Sequence, residues 1–295
     1  MDEQAALAER FEEHRGQLRA VAFRMLGSPS EADDAVQEAW LRLSRTDLTG
    51  IDHLGGWLRT VVSRLCLDML RTRRSRREEP LDGQAPARAR EGDPEQEAEL
   101  VDAVGRAVLV VLGTLAPAER VAFVLHDLFA VPFDQIAPIV DRTPVAAKKL
   151  ASRARQRLRG ATSVPSAELA HQRRVVDAFL AATRSGDLDA MLAVLAPDVV
   201  RRADRAALGP GRDAVLRGAE SVAREMLLFG RRARVAEPAL VDGAVGVVVA
   251  PHGRLLLVLA VTVEGDRVAG YELIADPERL RRLDLAVLDG LDGLV

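Results

Sequence analysis

Apolar residues recur at helical spacing through the first half of the chain and give way to strand-like runs near the end. Leu7, Phe11, Leu18, Val21, Ala22 and Met25 form one helical stripe, which Gly27-Ser28-Pro29 ends. Ser30 then caps a second helix with an acidic first turn (Glu31, Asp33, Asp34), as the positive end of a helix dipole favours. Ala35, Val36, Ala39, Trp40 and Leu43 face inward along it, which leaves Asp34, Gln37, Glu38, Leu41 and Arg42 for another surface. A third helix begins near Leu54 and carries Trp57, Leu58, Val61, Val62, Leu65 and Met69. It ends in a basic run, Arg71, Arg73, Arg74, Arg76 and Arg77. After it, Pro80, Pro86, Pro94, Gly83 and Gly92 deny the chain a continuous helix, so residues 78–99 read as a flexible linker.

A second helical unit follows. Leu109, Leu112 and Leu115 lead to Pro117, which starts a helix bearing Val121, Val124, Leu125 and Leu128. In 131–159, Phe133, Ile136, Ala137 and Val140 give a short helix one apolar face, and Pro138 should shorten or kink it. Asp141-Arg142-Thr143 makes a tight connection, because Asp tolerates a left-handed turn position and Thr143 can cap a helix opened by Pro144. The next helix puts Ala147, Leu150 or Ala151, Ala154 and Leu158 on one stripe and Lys148, Lys149, Ser152, Arg153, Arg155 and Gln156 on the other face. No acidic residue occurs between Arg142 and Arg159. A helix pair with a basic second helix is how helix-turn-helix proteins enter the major groove. A charged surface helix on a bundle is the plainer alternative, and the local charge asymmetry favours nucleic acid.

Beyond Gly160 the pattern changes. An amphipathic helix over 167–184 carries Val175, Val176, Phe179 and Leu180, and Ser185-Gly186-Asp187 turns it into a second helix over 188–195. Strand-type runs follow at Val199-Val200, 244–250, 254–263 and 267–274, the last three separated by hairpin turns at 251–253 and 264–266. Two helices and a curved antiparallel sheet describe an α+β domain whose sheet wraps the first helix around a cone-shaped cavity. Its expected lining, Val200, Val247, Val249, Leu257 and Leu259, is apolar. The acid–base candidates are Asp198, Asp204, His252 and Asp276, and no pair of them has a spacing that demands chemistry, so the domain is read as non-enzymatic.

At 295 residues the chain has room for two or three domains. A net charge of -3 means that any nucleic-acid binding rests on local basic patches, not on bulk charge. Cys66 is the only cysteine, which excludes intramolecular disulfides and thiol-rich metal sites, and its place between Leu65 and Leu67 suits a packed thiol. No cofactor or metal is expected. The acidic amino terminus lacks an apolar signal core, and the apolar stretch 239–263 is broken by Asp242, Pro251, His252 and Arg254, so the chain reads as cytoplasmic, with no membrane partner.

Three separated stretches carry a family resemblance. SPSEADDAVQEAWLRL resembles the polymerase-binding region of a bacterial sigma-70 family factor, and GGWLRTVVSRLCLDMLRTRRSRRE resembles its −10 reading helix. LAPAERVAFVLHDLFAVPFDQIAPIVDRTPVAAKKLASRARQRLR resembles the −35 reading domain. FLAATRSGDLDAMLAVLAPDVVRRAD and the closing ELIADPERL resemble a SnoaL-like (NTF2-like) fold. The collinear set resembles extracytoplasmic-function (ECF) sigma factors with a carboxy-terminal SnoaL-like extension, the sigma-J type among them. Ala116 stands where the family has a capping Ser, Asp141 where it has a turn Gly, and RRADRAALGPGR where a DGGGK-like segment is frequent.

The resemblance implies a multidomain chain: two all-α sigma domains, a region 2 helical bundle and a region 4 helix-turn-helix, then an α+β cone-shaped domain. Residues 1–77 would be region 2, 78–99 the linker, 100–160 region 4, 166–283 the regulatory SnoaL-like domain and 284–295 a tail. It implies that Asp33, Asp34, Gln37, Glu38, Leu41 and Arg42 bind the clamp of core RNA polymerase. Trp57, Arg59, Ser63, Arg64, Arg71 and Arg74 would hold the −10 promoter DNA, Trp57 serving equally well as a core anchor. Arg142, Thr143, Lys148, Lys149, Ser152, Arg153 and Arg155 would meet the −35 DNA, with Arg142, Arg155 and Arg157 better suited to phosphates. A small apolar ligand in the cone is a further expected partner. Two other readings compete: a free-standing helix-turn-helix regulator with a small-molecule-sensing SnoaL-like domain, and a SnoaL-like enzyme carrying a DNA-binding module.

Overall fold

The computed structural model describes residues 3–51, 53–78, 105–162, 164–209, 211–228 and 233–288. The expected linker lies outside these residues except for Glu78, and so does most of the expected tail. The chain forms two compact units. In its described residues the first comprises 3–78 and 112–156, and the second 105–111 and 157–288.

Three helices, α1 (Glu3–Leu26), α2 (Pro29–Leu43) and α3 (Leu54–Glu78), open the first unit. Phe11, Leu18, Val21, Ala22 and Met25 are buried as their spacing predicts, and so are Ala35, Val36, Ala39 and Leu43. Trp40 is half-buried and packs on Phe11 with ring centroids 5.1 Å apart. The buried stripe of α3 runs through Leu58, Val62, Cys66 and Leu70, while Val61, Leu65 and Met69 are only half-buried. Ser28, not Ser30, caps α2: its backbone is extended, its Oγ accepts from Glu31 N, and Pro29 takes the first helical position. Arg73 donates to Leu26 O at 3.0 Å and so closes the end of α1.

The next helical stretch comprises α4 (Arg106–Thr114), α5 (Pro117–Phe123) with a π turn (Val124–Leu128), α6 (Phe133–Ile136) and α7 (Pro144–Arg159). Ala116 has no hydroxyl to offer, and the Glu119 carboxylate instead accepts from Ala116 N at 3.4 Å. The α6–α7 turn follows its local sequence closely. α6 stops ahead of Pro138, Asp141 adopts φ +55°, and Thr143 Oγ1 accepts from Ala146 N at 3.2 Å. Ala147, Ala151, Ala154 and Leu158 are buried, which settles the stripe on Ala151 in place of Leu150.

In the second unit α8 (Ser166–Ser185) and α9 (Leu188–Val194) precede β1 (Leu195–Ala203), β2 (Val215–Arg217), α10 (Ala219–Leu227), β3 (Ala236–Val241), β4 (Ala244–Val249), β5 (Leu257–Glu264), β6 (Arg267–Ile274), α11 (Pro277–Arg282) and β7 (Leu285–Ala286). Gly186 at φ +72° ends α8, and Asp187 caps α9 through Asp189 N and Ala190 N. The described strands form one sheet in the order β2-β1-β6-β5-β4-β3-β7, antiparallel except for the β1–β6 pair. A register shift between Thr262 and Val263 interrupts the β5–β6 ladder, the kind of irregularity that curves a sheet. Val175, Val176, Phe179 and Leu180 of α8 lie in the core against the concave face.

One face assignment is corrected. Val199 and Arg201 of β1 are buried while Val200 is half-buried, so Val200 leaves the expected cavity lining. Side chains alternate along a strand, so a one-residue displacement moves every residue to the opposite face. The stretch after α7 is tied down: Val287 N donates to Leu158 O at 2.8 Å, and Thr162 Oγ1 donates to Gly243 O at 2.7 Å. Gly160 is at φ +62°, where a Cβ would lie 2.5 Å from Ala286 Cβ, so this passage requires glycine.

Candidate polymerase and nucleic-acid interfaces

On α2, burial of Ala32, Ala35, Val36, Ala39 and Leu43 turns the intervening positions outward. Asp33, Asp34, Gln37, Leu41 and Arg42 are exposed and Glu38 is half-buried. Asp33 is paired with Arg19 of α1 at 2.6 Å, and Glu38 with Arg42 at 3.1 Å across one turn. Leu41, 40% exposed, is among the few large hydrophobic residues that stand in solvent. An exposed leucine within a ring of mixed charge has the anatomy of a protein–protein contact: an apolar centre with a polar rim.

The −10 candidates on α3 divide by position. Arg64, Arg71 and Arg74 are exposed, while Arg59 and Trp57 are half-buried. Arg64 Nη2 donates to Pro138 O at 3.1 Å, and Arg71 stands 3.6 Å from both Asp68 and Asp141. Ser63 is fully buried, and among the described residues its hydroxyl finds no hydrogen-bond partner. In this arrangement Ser63 presents no side-chain surface to solvent, unlike Arg64, Arg71 and Arg74. Cys66 is buried on the same helix, and burial pushes its thiol up to about 12 against the pull of Arg120, so it is an inert packed group.

The α6–α7 turn and α7 present Arg142, Thr143, Lys148, Lys149, Ser152 and Arg153 at exposed positions, with Val145 67% exposed among them. Arg155 differs. It is half-buried and holds Asp127 of the π turn at 2.7 Å, so its charge faces a carboxylate of its own domain. Burial pushes the Asp127 carboxyl above its ordinary value, opposed by Arg155 and His126. Asp127 escaped the sequence reading, and the absence of acidic residues from the reading helix hid the fact that one lies across from it.

The cone of the second unit encloses about 540 Å³ of empty space, counting open solvent at its mouth. Phe179, Leu180, Met226, Val247, Val249, Leu257, Leu259 and Leu273 line it, and Thr183 is the sole polar side chain among the described lining residues. Its hydroxyl donates to Phe179 O at 2.8 Å. The acid–base candidates lie elsewhere. Asp198 is exposed on β1, Asp276 caps α11 through Glu278 N and Arg279 N, and His252 belongs to the 3-10 turn Pro251–Gly253. The Asp204 carboxylate accepts from the backbone N–H groups of Ala207, Ala275 and Asp276, each at 2.9 Å. Burial pushes this carboxyl up, but those donors and Arg279 together hold it below its ordinary value.

Sequence reasoning also missed a buried charge in the cone wall. Arg201, 1% exposed, makes two hydrogen bonds to Glu225 of α10 at 2.7 and 2.8 Å and a third to Asp213 O at 2.7 Å. Burial and the neighbouring Glu225 push the Tyr271 phenol up despite Arg201, and its hydroxyl has no hydrogen-bond partner among the described residues. An arginine in a run of charged residues (RRADR) carries no local mark of burial, and only the correct face of β1 would have given it away.

Comparison with known proteins bears on these surfaces. The family model for sigma-70 region 2 matches residues 10–76, and the model for sigma-70 region 4 matches residues 105–158. The probable ECF RNA polymerase sigma factor SigI of Mycobacterium tuberculosis is 36% identical over 272 residues, covering 90% of this chain and 92% of its own. ECF RNA polymerase sigma factor SigJ of the same organism is 36% identical over 291 residues, covering 91% of each. The SigJ crystal structure aligns with 92% of this chain and 98% of its own at 34% identity and a TM-score of 0.45. An NTF2-like protein from Burkholderia xenovorans covers 39% of this chain and 95% of its own at 21% identity and a TM-score of 0.27. Carrying regions 2 and 4 in order and aligned nearly end to end with two such factors, the chain belongs to the ECF RNA polymerase sigma factors.

Proposed function

We propose that the exposed face of α2 (Asp33, Asp34, Gln37, Glu38, Leu41, Arg42) docks on the clamp of core RNA polymerase. In this reading α3 holds the melted −10 element through Trp57, Arg59, Arg64, Arg71 and Arg74. α7 enters the −35 major groove with Lys148, Lys149, Ser152 and Arg153, while Arg142 and Thr143 meet the adjoining backbone. Arg155 is a positioning residue, held by Asp127. The observation that carries the reading is the outward Leu41 set in a mixed-charge face, a surface that a self-sufficient DNA binder does not need. The protein then acts in the cytoplasm, where polymerase and promoter are, and catalyses no reaction of its own. Abortive transcription with purified core polymerase on a library of promoter fragments tests this. Promoter-specific product should require both protein and core, and should vanish in Leu41→Asp. Tight duplex binding without polymerase, and no product with it, would instead favour the free-standing regulator.

The second unit is a regulatory domain in this reading, and its cavity favours a small, uncharged, apolar ligand. The lining offers one hydroxyl that is already donated to a backbone carbonyl, so a charged ligand would lose its hydration without compensation. A panel of small aliphatic and aromatic probes should raise the melting temperature, and carboxylate analogues of the same size should not. Equal shifts from both sets would refute an apolar site.

A further inference from the structure

Few large hydrophobic side chains among the described residues stand open to water, and one of them is on α7. Val145 is 67% exposed at the second position of the helix, after Pro144. The buried stripe of α7 decides where it points. Ala147, Ala151, Ala154 and Leu158 face the core, and helical spacing puts Val145 on the opposite side. Lys148, Lys149 and Ser152 follow it three, four and seven positions on, so all share its face, and all are exposed. Thr143 Oγ1 accepts from Ala146 N at 3.2 Å, which fixes the first turn and Val145 with it. Stability gives no reason for valine here. Its branched side chain loses rotamer freedom in a helix, and methyl groups left in water gain nothing from burial.

The surroundings point to one occupant. No acidic residue lies between Arg142 and Arg159, so the face suits a polyanion. The first residues of the second helix in a helix-turn-helix are the ones that reach base edges. In the major groove the apolar mark on a base edge is the 5-methyl group of thymine, and apolar side chains read it. We infer that Val145 is a specificity-determining residue of the −35 contact, packing its methyl groups on the 5-methyl of one thymine. Cytosine at that place would withdraw the methyl and set an amino group against an apolar side chain. Lys148, Lys149 and Ser152 supply the polar contacts around it. The inference rests on α7 entering the −35 groove, as proposed above.

The test uses the full chain with core polymerase on a promoter fragment taken from the library. Each thymine of the −35 element, in either strand, is replaced in turn by deoxyuridine, which removes one methyl and keeps every hydrogen-bonding group. At limiting protein, abortive product from the parent should fall about 3- to 5-fold at one thymine, the scale of one buried methyl. Val145→Ala should make equal product from the unmodified and substituted fragments, and should melt no lower than the parent. Val145→Ile, which keeps a branched apolar side chain, should restore the sensitivity. A parent indifferent to methyl removal throughout, an element without thymine, or equal sensitivity in parent and Val145→Ala would each overturn the assignment. Weaker binding of Val145→Ala to core polymerase would overturn it too, making Val145 a polymerase contact. Lys149→Ala separates these failures from failure of the groove reading. If it lowers product while the methyl scan is flat, only the assignment of Val145 falls. If it and Val145→Ala both match the parent, α7 does not read the element and both fall.

Discussion

Two arginine–carboxylate contacts, one in each unit, show how burial sets the role of the same chemistry. Arg201 and Glu225 are 1% and 14% exposed and bonded twice at hydrogen-bond distance, and Arg212 approaches the same carboxylate at 3.3 Å. Arg71 and Asp141 approach only to 3.6 Å, and about half or more of each side chain lies in water. Coulomb attraction is weak and screened at the second site and strong at the first, where removal of either partner strands a charge. The first contact is therefore part of the architecture of its domain. The second is exposed and contributes little to the stability of its unit.

The contrast can be broken at either end. The largest effect is expected from Glu225→Ala, which leaves Arg201 buried and without its main partner. It should lower the stability of the second unit by about 3–5 kcal/mol in urea denaturation, and a loss under about 1 kcal/mol would show that water reaches the pair. Next, Leu41→Asp should weaken binding to core polymerase at least about 10-fold while leaving the melting temperature unchanged, as truncation of a contact centre does. Asp204→Asn should destabilise the second unit by about 1–3 kcal/mol, the range for losing hydrogen bonds to a charged group.

That substitution also has a pH signature. The folded Asp204 carboxyl titrates below its unfolded value, so its contribution is full above the unfolded pKa of about 4 and fades as pH falls through the folded one. The difference between parent and Asn variant should thus shrink on acidification below about pH 4, and a constant difference would assign the effect to packing. The smallest effect is expected for Asp141→Gly, which should change the stability of the first unit by no more than about 1 kcal/mol in urea denaturation and so sets the scale of an exposed pair against a buried one.

The parts of the fold written in local signals were legible. Pro138, Asp141, Thr143 and Pro144 specify where α6 stops, which residue turns left-handed and what caps α7, and the turn follows them. The apolar stripes of α1, α2, α7 and α8 gave their buried faces for the same reason. Strands were harder. β3 contains Pro238, which argues against a central strand, yet β7 pairs only with its far end at Leu240 and Val241, so Pro238 needs no donor on that side. Residues 195–200 of β1 pass through Pro197 and a register shift before regular pairing begins, which hid the phase of the alternation and with it the burial of Arg201.

The candidate interfaces were legible as surfaces but not as states. Residue type and spacing mark Arg64 and Arg71 as outward and basic, but their partners lie about seventy positions away in sequence, and nothing local to α3 announces them. Asp127 opposite Arg155 is a nearer case of the same limit, since the two meet only when the π turn and α7 are in place.

The most direct test measures abortive product from purified core polymerase on promoter fragments, with the parent chain and with Leu41→Asp. The account predicts promoter-specific product from the parent only when core is present, and none from Leu41→Asp although its melting temperature is unchanged. Product from Leu41→Asp at the parent's level would contradict it, because the exposed face of α2 would then not be the polymerase contact.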